Sequence, residues 1–116
     1  PIDGNFVNGR NSLGENIGDV GGLAMAYHAY KLSLNGKEAP VIDGVTGDQR
    51  FFLAWAQVWK EKRTEQSMLN QLRGGTHAPG RFRAQAPRNH DAWYKAFDVK
   101  PGDALYLPEE ERVRIW

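Results

Sequence analysis

Residues Glu15 to Leu23 read ENIGDVGGL, which sets two carboxylates four positions apart at the start of a helix and follows them with glycine. At about 100° per residue, Glu15 and Asp19 lie roughly 40° apart around the helix and about 6 Å apart along it. Both acids therefore share a face. Gly22 and Ala26 continue that face and would let another helix come close, while Ile17, Val20, Ala24 and Tyr27 form an adjoining apolar stripe that calls for burial. Two readings of the acids stay open at this point. In one, the first carboxylate goes to a metal and the second orients another ligand. In the other, Ser12-Leu13-Gly14-Glu15 is a capping box, with Ser12 capping the helix and Glu15 reaching back to its backbone N–H, and a first-turn acid suits the helix dipole.

The rest of the chain narrows the surroundings of that helix. Its 116 residues suffice for one small domain, and 41% hydrophobic content with scattered charge argues for a folded protein. A net charge of +1, with no charge block longer than Glu109-Glu110-Glu111, gives no global field to attract nucleic acid. The absence of cysteine excludes disulfides and thiolate metal sites, so any zinc site depends on His and carboxylate ligands. No apolar run approaches the roughly 20 residues that span a bilayer. The first residues, Pro1-Ile2-Asp3-Gly4, resemble neither a signal peptide nor a translation start, and the chain is expected to begin inside a longer protein.

The apolar pattern predicts a mainly α fold with irregular loops. Residues 1–11 read as an irregular lead-in, and a helix follows from Ser12 to Leu34, closed by Asn35-Gly36. Lys37–Asp48 holds Pro40, Gly44 and Gly47 and reads as a loop. Phe52, Trp55, Ala56 and Trp59 then recur at helical spacing as a buried stripe. A shorter helix is expected over Glu65–Leu72, a break at Gly74-Gly75, and a loop without helical periodicity over Thr76–Pro87. A last helix spans Asn89–Phe97, with a helical turn at Pro108–Arg112 in the tail.

Between Glu65 and Asp91 there is no acid, yet Arg73, His77, Arg81, Arg83, Arg88 and His90 fall in that span. A solvated loop would explain this, and so would a non-catalytic folded module that binds an anionic partner through residues 73–90. Only Phe82 is interleaved as a stacking aromatic, so no nucleic-acid partner is expected. A third explanation is a loop over a catalytic cleft, where an imidazole and a guanidinium serve a developing oxyanion and a substrate carbonyl. His28 shares the first helix with Glu15 but lies about 220° around it and roughly 20 Å along it, too far to join Glu15 on one metal. His90 reads as a surface or capping residue.

Four segments, ENIGDVGGL at 15–23, FFLAWAQVW at 51–59, THAPGRFR at 76–83 and AFDVKPGDALYLPEEERVRIW at 96–116, together resemble the carboxy-terminal part of a neprilysin-type zinc endopeptidase, down to the terminal Trp116. The family includes endothelin-converting enzymes and bacterial oligopeptidase O. The resemblance implies that residues 1–116 are the C-terminal helical segment of one thermolysin-like catalytic domain, with no second domain. It implies that Glu15 is the third zinc ligand and that Asp19 orients a zinc-bound histidine from a separate helix. It further implies that His77 stabilises the tetrahedral oxyanion, that Arg83 holds a substrate backbone carbonyl, and that Trp59 walls an apolar substrate pocket.

This chain departs from the family pattern at several places. Gly75 stands where an acid usually precedes the histidine by two residues, and Gly18 stands where alanine is usual. Lys60, Val99 and Arg112 occupy the cysteine positions of animal members, which fits a bacterial protein. No H-E-x-x-H occurs anywhere, so two zinc ligands and the general-base glutamate are missing. Catalytic zinc needs three protein ligands and an open position, so the chain alone is expected neither to hold the ion nor to act. Its expected partners are peptide substrates and the missing N-terminal part of the same enzyme, with self-association through the orphaned helix face as a further outcome. The resemblance points to a periplasmic or other extracytoplasmic location, though the composition is equally compatible with the cytoplasm.

Overall fold

Helix α1 (Leu13–Ser33) begins where the lead-in folds back on itself. The Asn8 side chain accepts from the backbone N–H of Arg10 and Asn11, an Asx-type turn that aims the chain into the helix. In the computed structural model, which describes residues 2–115, the capping box, one of two open readings of Ser12 and Glu15, does not form. The Ser12 hydroxyl is 1% exposed, donates to the Asn8 carbonyl at 3.3 Å and accepts from Asn16 Nδ2 at 3.2 Å. It makes no cap bond, and Glu15 is left free to point elsewhere. At the other end Asn35 and Gly36 both take left-handed backbone, at φ 50° and 74°, and stop the helix where the sequence indicated.

Helix α2 (Gly47–Val58) carries the capping box instead. Thr46 Oγ1 accepts from Gln49 N–H at 3.2 Å, and Gln49 Oε1 accepts from Thr46 N–H at 3.0 Å. Gln49 also donates through Nε2 to the Ala96 carbonyl at 2.9 Å, which ties α2 to helix α5 (Asp91–Phe97). Leu23, Phe52 and Ala86 form the buried centre, with Val20, Tyr27, Phe51, Trp55, Ala92, Trp93 and Ala96 packed around it. The buried arc of α1 therefore centres on Val20, Leu23 and Tyr27, and Ile17, expected inside, lies at its edge with 41% exposure. Ala56 likewise faces solvent, because the α2 contact runs through its neighbours Phe52 and Trp55. Burial and the Asp48 carboxylate, which accepts from the hydroxyl at 2.9 Å, push the Tyr27 phenol up to about 12.

Helix α3 (Glu65–Gly74) is capped by Thr64, whose side chain accepts from Ser67 N–H. The following segment, expected as a plain loop, contains a single helical turn, α4 (Gly80–Arg83), and a 3-10 turn over Ala86–Asn89. Pro79 is the N-cap of the first and Pro87 the second residue of the other, places where a missing N–H costs no helical bond. A second 3-10 turn, Glu109–Glu111, falls inside the expected Pro108–Arg112. The tail is held by Arg112, whose guanidinium lies 3.7 Å over the Tyr94 ring and donates to the Leu107 carbonyl and to Asp91.

The chain is thus mainly helical, with no strand among the described residues beyond two isolated bridges. No helix among the described residues is long and apolar enough to cross a membrane. Trp116, noted in the sequence as a family terminus, lies outside the described residues. The radius of gyration is 16.0 Å, against about 13 Å for a compact domain of this length. Among the described residues six apolar ones are buried while thirteen large ones are exposed, so the core is small for the surface around it.

Candidate active site

Helix α1 delivers Glu15 and Asp19 from its first turns to the residues of α4 and the loop before it. Arg83 grips Asp19 with a two-pronged contact, Nε to Oδ2 and Nη2 to Oδ1, each 2.7 Å. The two side chains are 17% and 11% exposed. That hydrogen-bonded carboxylate pushes the Arg83 pKa up. The guanidinium also lies 4.0 Å over the ring of Trp59, which caps the C-terminus of α2, and the Arg83 carbonyl accepts from Trp55 Nε1 at 3.1 Å. Arg83 is therefore fixed from below, from the side and through its main chain.

His77 meets the other acid. Its Nε2 lies 3.0 Å from Glu15 Oε2, both side chains nearly half exposed, and its Nδ1 lies 3.2 Å from Thr76 Oγ1. The loop can reach this place because α4 starts on glycine. A Cβ at Gly80 would come within 3.0 Å of the Trp59 carbonyl and of Glu61 Oε1, while the Gly80 N–H donates to that same Glu61 oxygen at 3.3 Å. Trp59, Glu61, Arg63, Gln71, His77 and Arg83 line a cleft of about 430 Å³. All five residues singled out in the sequence, Glu15, Asp19, Trp59, His77 and Arg83, are brought together here.

The donor set can serve a metal only in part. Glu15 is a half-exposed carboxylate with one imidazole against it, and no cluster of three potential ligands exists among the described residues. One ligand of a zinc site fits, and the site itself does not. His28 is exposed on the far stretch of α1, as its spacing required. His90 stands at the N-cap of α5, at the helix start as expected, but not on the surface. It is half-buried, makes no side-chain cap bond, leaves Nε2 without a partner, and burial lowers its pKa.

The basic loop does not form a continuous cationic face. Arg83 is spent on Asp19, and Arg88 donates to the carbonyls of Leu105 and Tyr106 and to Gln85. Arg81 stacks on Phe82 at 4.7 Å. Sequence reasoning missed Glu61, Arg63, Gln71 and Thr76 as neighbours of the cleft. The run Lys60–Arg63 reads as solvated charge, and no spacing rule links it to residues ten or more positions on.

The chain is similar to known proteins over nearly its whole length. The model of peptidase family M13 matches residues 2–113. Neprilysin-2 of Caenorhabditis elegans is 37% identical over 95% of this chain and 15% of its own length. Human endothelin-converting enzyme 1 is 39% identical over 99% of this chain and 15% of its own. The chain superposes on the zinc metalloprotease Zmp1 of Mycobacterium tuberculosis, solved in complex with an inhibitor, with a TM-score of 0.91 at 52% identity, covering 95% of this chain and 17% of that one. It thus spans about a sixth of the relatives it matches. The chain belongs to peptidase family M13, the neprilysin family.

Proposed function

We propose that the chain is the C-terminal portion of the catalytic domain of a zinc-dependent endopeptidase that hydrolyses peptide bonds of oligopeptides. The observation that carries this is the convergence of Glu15 with His77 at 3.0 Å beside Asp19 with Arg83 at 2.7 Å, over the Trp59 ring. In this reading Glu15 is one of three protein ligands to a single zinc ion, and the other two come with the missing N-terminal part. When bound, zinc supplies Lewis-acid polarisation of the scissile carbonyl and activation of water. His77 Nε2 faces the developing oxyanion. Asp19 holds Arg83 and orients a ligand histidine, Arg83 holds a substrate carbonyl, and Trp59 walls an apolar side-chain pocket. An extracytoplasmic, including periplasmic, location goes with this assignment.

The alternative, an anion-binding module, loses its main support because Arg83 and Arg88 are engaged internally. Zinc analysis after dialysis tests the assignment. The 116-residue chain is expected to retain essentially none, the complete enzyme to retain its ion, and Glu15→Ala in the complete enzyme to lose it. Unchanged metal content in that variant would remove Glu15 as a ligand.

A further inference from the structure

Residues 61–77 carry a run of hydrogen bonds to which the peptidase reading assigns no task. Glu61 accepts from the Gly80 N–H through Oε1 and from Arg63 Nε through Oε2, the latter at 2.8 Å. Arg63 Nη1 donates to Gln71 Oε1, and Gln71 Nε2 donates to the His77 carbonyl at 3.1 Å. The run therefore grips both ends of the segment 77–80. The His77 ring has its own support in Thr76 Oγ1, 3.2 Å from Nδ1. A carboxylate only accepts, so Nε2, facing Glu15 at 3.0 Å, carries a proton. Where Nε2 holds the ring's one proton, Nδ1 is bare and the Thr76 hydroxyl can donate to it.

Gly75 explains why this support comes from Thr76 and Gln71. Its N–H donates to the Gln71 carbonyl at 2.8 Å, and a Cβ there would stand 2.6 Å from that oxygen and 3.1 Å from Gln71 Cγ. With the backbone in this position no side chain fits at residue 75, so none can reach the ring from there.

We propose that Gln71 and Thr76 are positioning residues for His77. Gln71, held by Arg63, fixes its main chain, and Thr76 fixes its ring through Nδ1, which leaves Nε2 directed at Glu15, where the peptidase reading puts the reacting centre. This rests on the peptidase reading of His77.

Steady-state cleavage of an internally quenched peptide by the complete, zinc-loaded enzyme tests it, with each variant made in both native and His77→Ala backgrounds. Thr76→Val preserves shape and removes the hydroxyl, and Gln71→Glu keeps the acceptor for Arg63 and removes the donor to His77. Each is expected to lower kcat about tenfold with KM within about twofold, less than the roughly 10²–10³-fold cost of removing an oxyanion donor outright. Thr76→Ser should retain native kcat, and neither Thr76→Val nor Gln71→Glu should lower kcat further once His77 is alanine. Equal losses in both backgrounds would overturn the proposal, as would native kcat in both single variants. Loss of zinc from either would assign that residue to the fold and also overturn it. Native kcat in His77→Ala alone would defeat the peptidase role of His77 itself, a separate failure.

Discussion

Replacing Arg83 by lysine separates a fixed guanidinium fork from a mere positive charge. At an effective dielectric of about 20, opposite charges roughly 4 Å apart attract by about 4 kcal/mol. The desolvation of two side chains only 17% and 11% exposed offsets part of that, which leaves a net contribution of about 1–3 kcal/mol. The fork spends Nε and Nη2 on Asp19, and Nη1 makes no hydrogen bond among the described residues. In the proposed function that nitrogen is the donor left for a substrate carbonyl. A lysine keeps the charge but cannot hold Asp19 at two points and offer a third donor in a set direction, and it gives up the flat contact with Trp59, worth about 0.5–2 kcal/mol. Peptide cleavage by the complete enzyme should show kcat/KM reduced roughly 10- to 100-fold, about 1.4–2.8 kcal/mol, carried mainly by KM, with zinc retained. A variant within about twofold of native kcat/KM would refute the argument from the fork. An unchanged KM with a collapsed kcat would move the contribution of Arg83 from substrate binding to the transition state.

Three further outcomes are expected. At Gly47 a Cβ would overlap the Tyr30 hydroxyl and the Ala39 methyl, so Gly47→Ala should destabilise the α1–α2 contact by about 1–3 kcal/mol, and a native unfolding midpoint would count against that packing. Burial holds the His90 pKa below its ordinary 6.5, with Asp91 opposing but not reversing the effect. An unfolded chain therefore takes up the proton more readily, and stability from this group is complete above 6.5 and declines as pH falls through the folded-state value. His90→Gln should flatten that decline, and an identical pH dependence of the unfolding midpoint in the two proteins would reject the assignment. The 116-residue chain, with thirteen large apolar side chains exposed, should self-associate as its concentration rises, whereas a monomer by sedimentation at every concentration would contradict this.

How far the residues announced the fold depended on how local the governing forces are. Asn35-Gly36 ended α1 as expected because left-handed backbone is a property of those two residues. The Thr46–Gln49 box forms and the Ser12–Glu15 box, one of two open readings of that stretch, does not, although both match one pattern. Ser12 is buried under the lead-in, where Asn8 and Asn16 compete for its hydroxyl, while Thr46 has no such rivals. The two short turns at Gly80–Arg83 and Ala86–Asn89 hold too few residues to show a period. At the site, the four-residue spacing of Glu15 and Asp19 indicated a shared face, but nothing local indicated that Arg83, sixty-four positions from Asp19, would close on it. Only the resemblance carried that pairing of regions.

The glycines of α1 tie the fold to the proposed function. Gly14, Gly18 and Gly22 recur every four residues, and a Cβ at any of them would meet nothing within 4 Å. Glycine in a helix interior costs up to about 1 kcal/mol relative to alanine, and no packing among the described residues repays it at these three sites. They lie alongside Glu15 and Asp19, and Met25 on the same side of the helix is left 60% exposed. A face that combines small residues, a stranded apolar side chain and a carboxylate without a full ligand set has the features of one half of an interface. If the other half is a helix carrying two histidine ligands, its close approach accounts at once for the glycines, for the exposure of Met25, and for Glu15 being turned away from the capping role its position suggests.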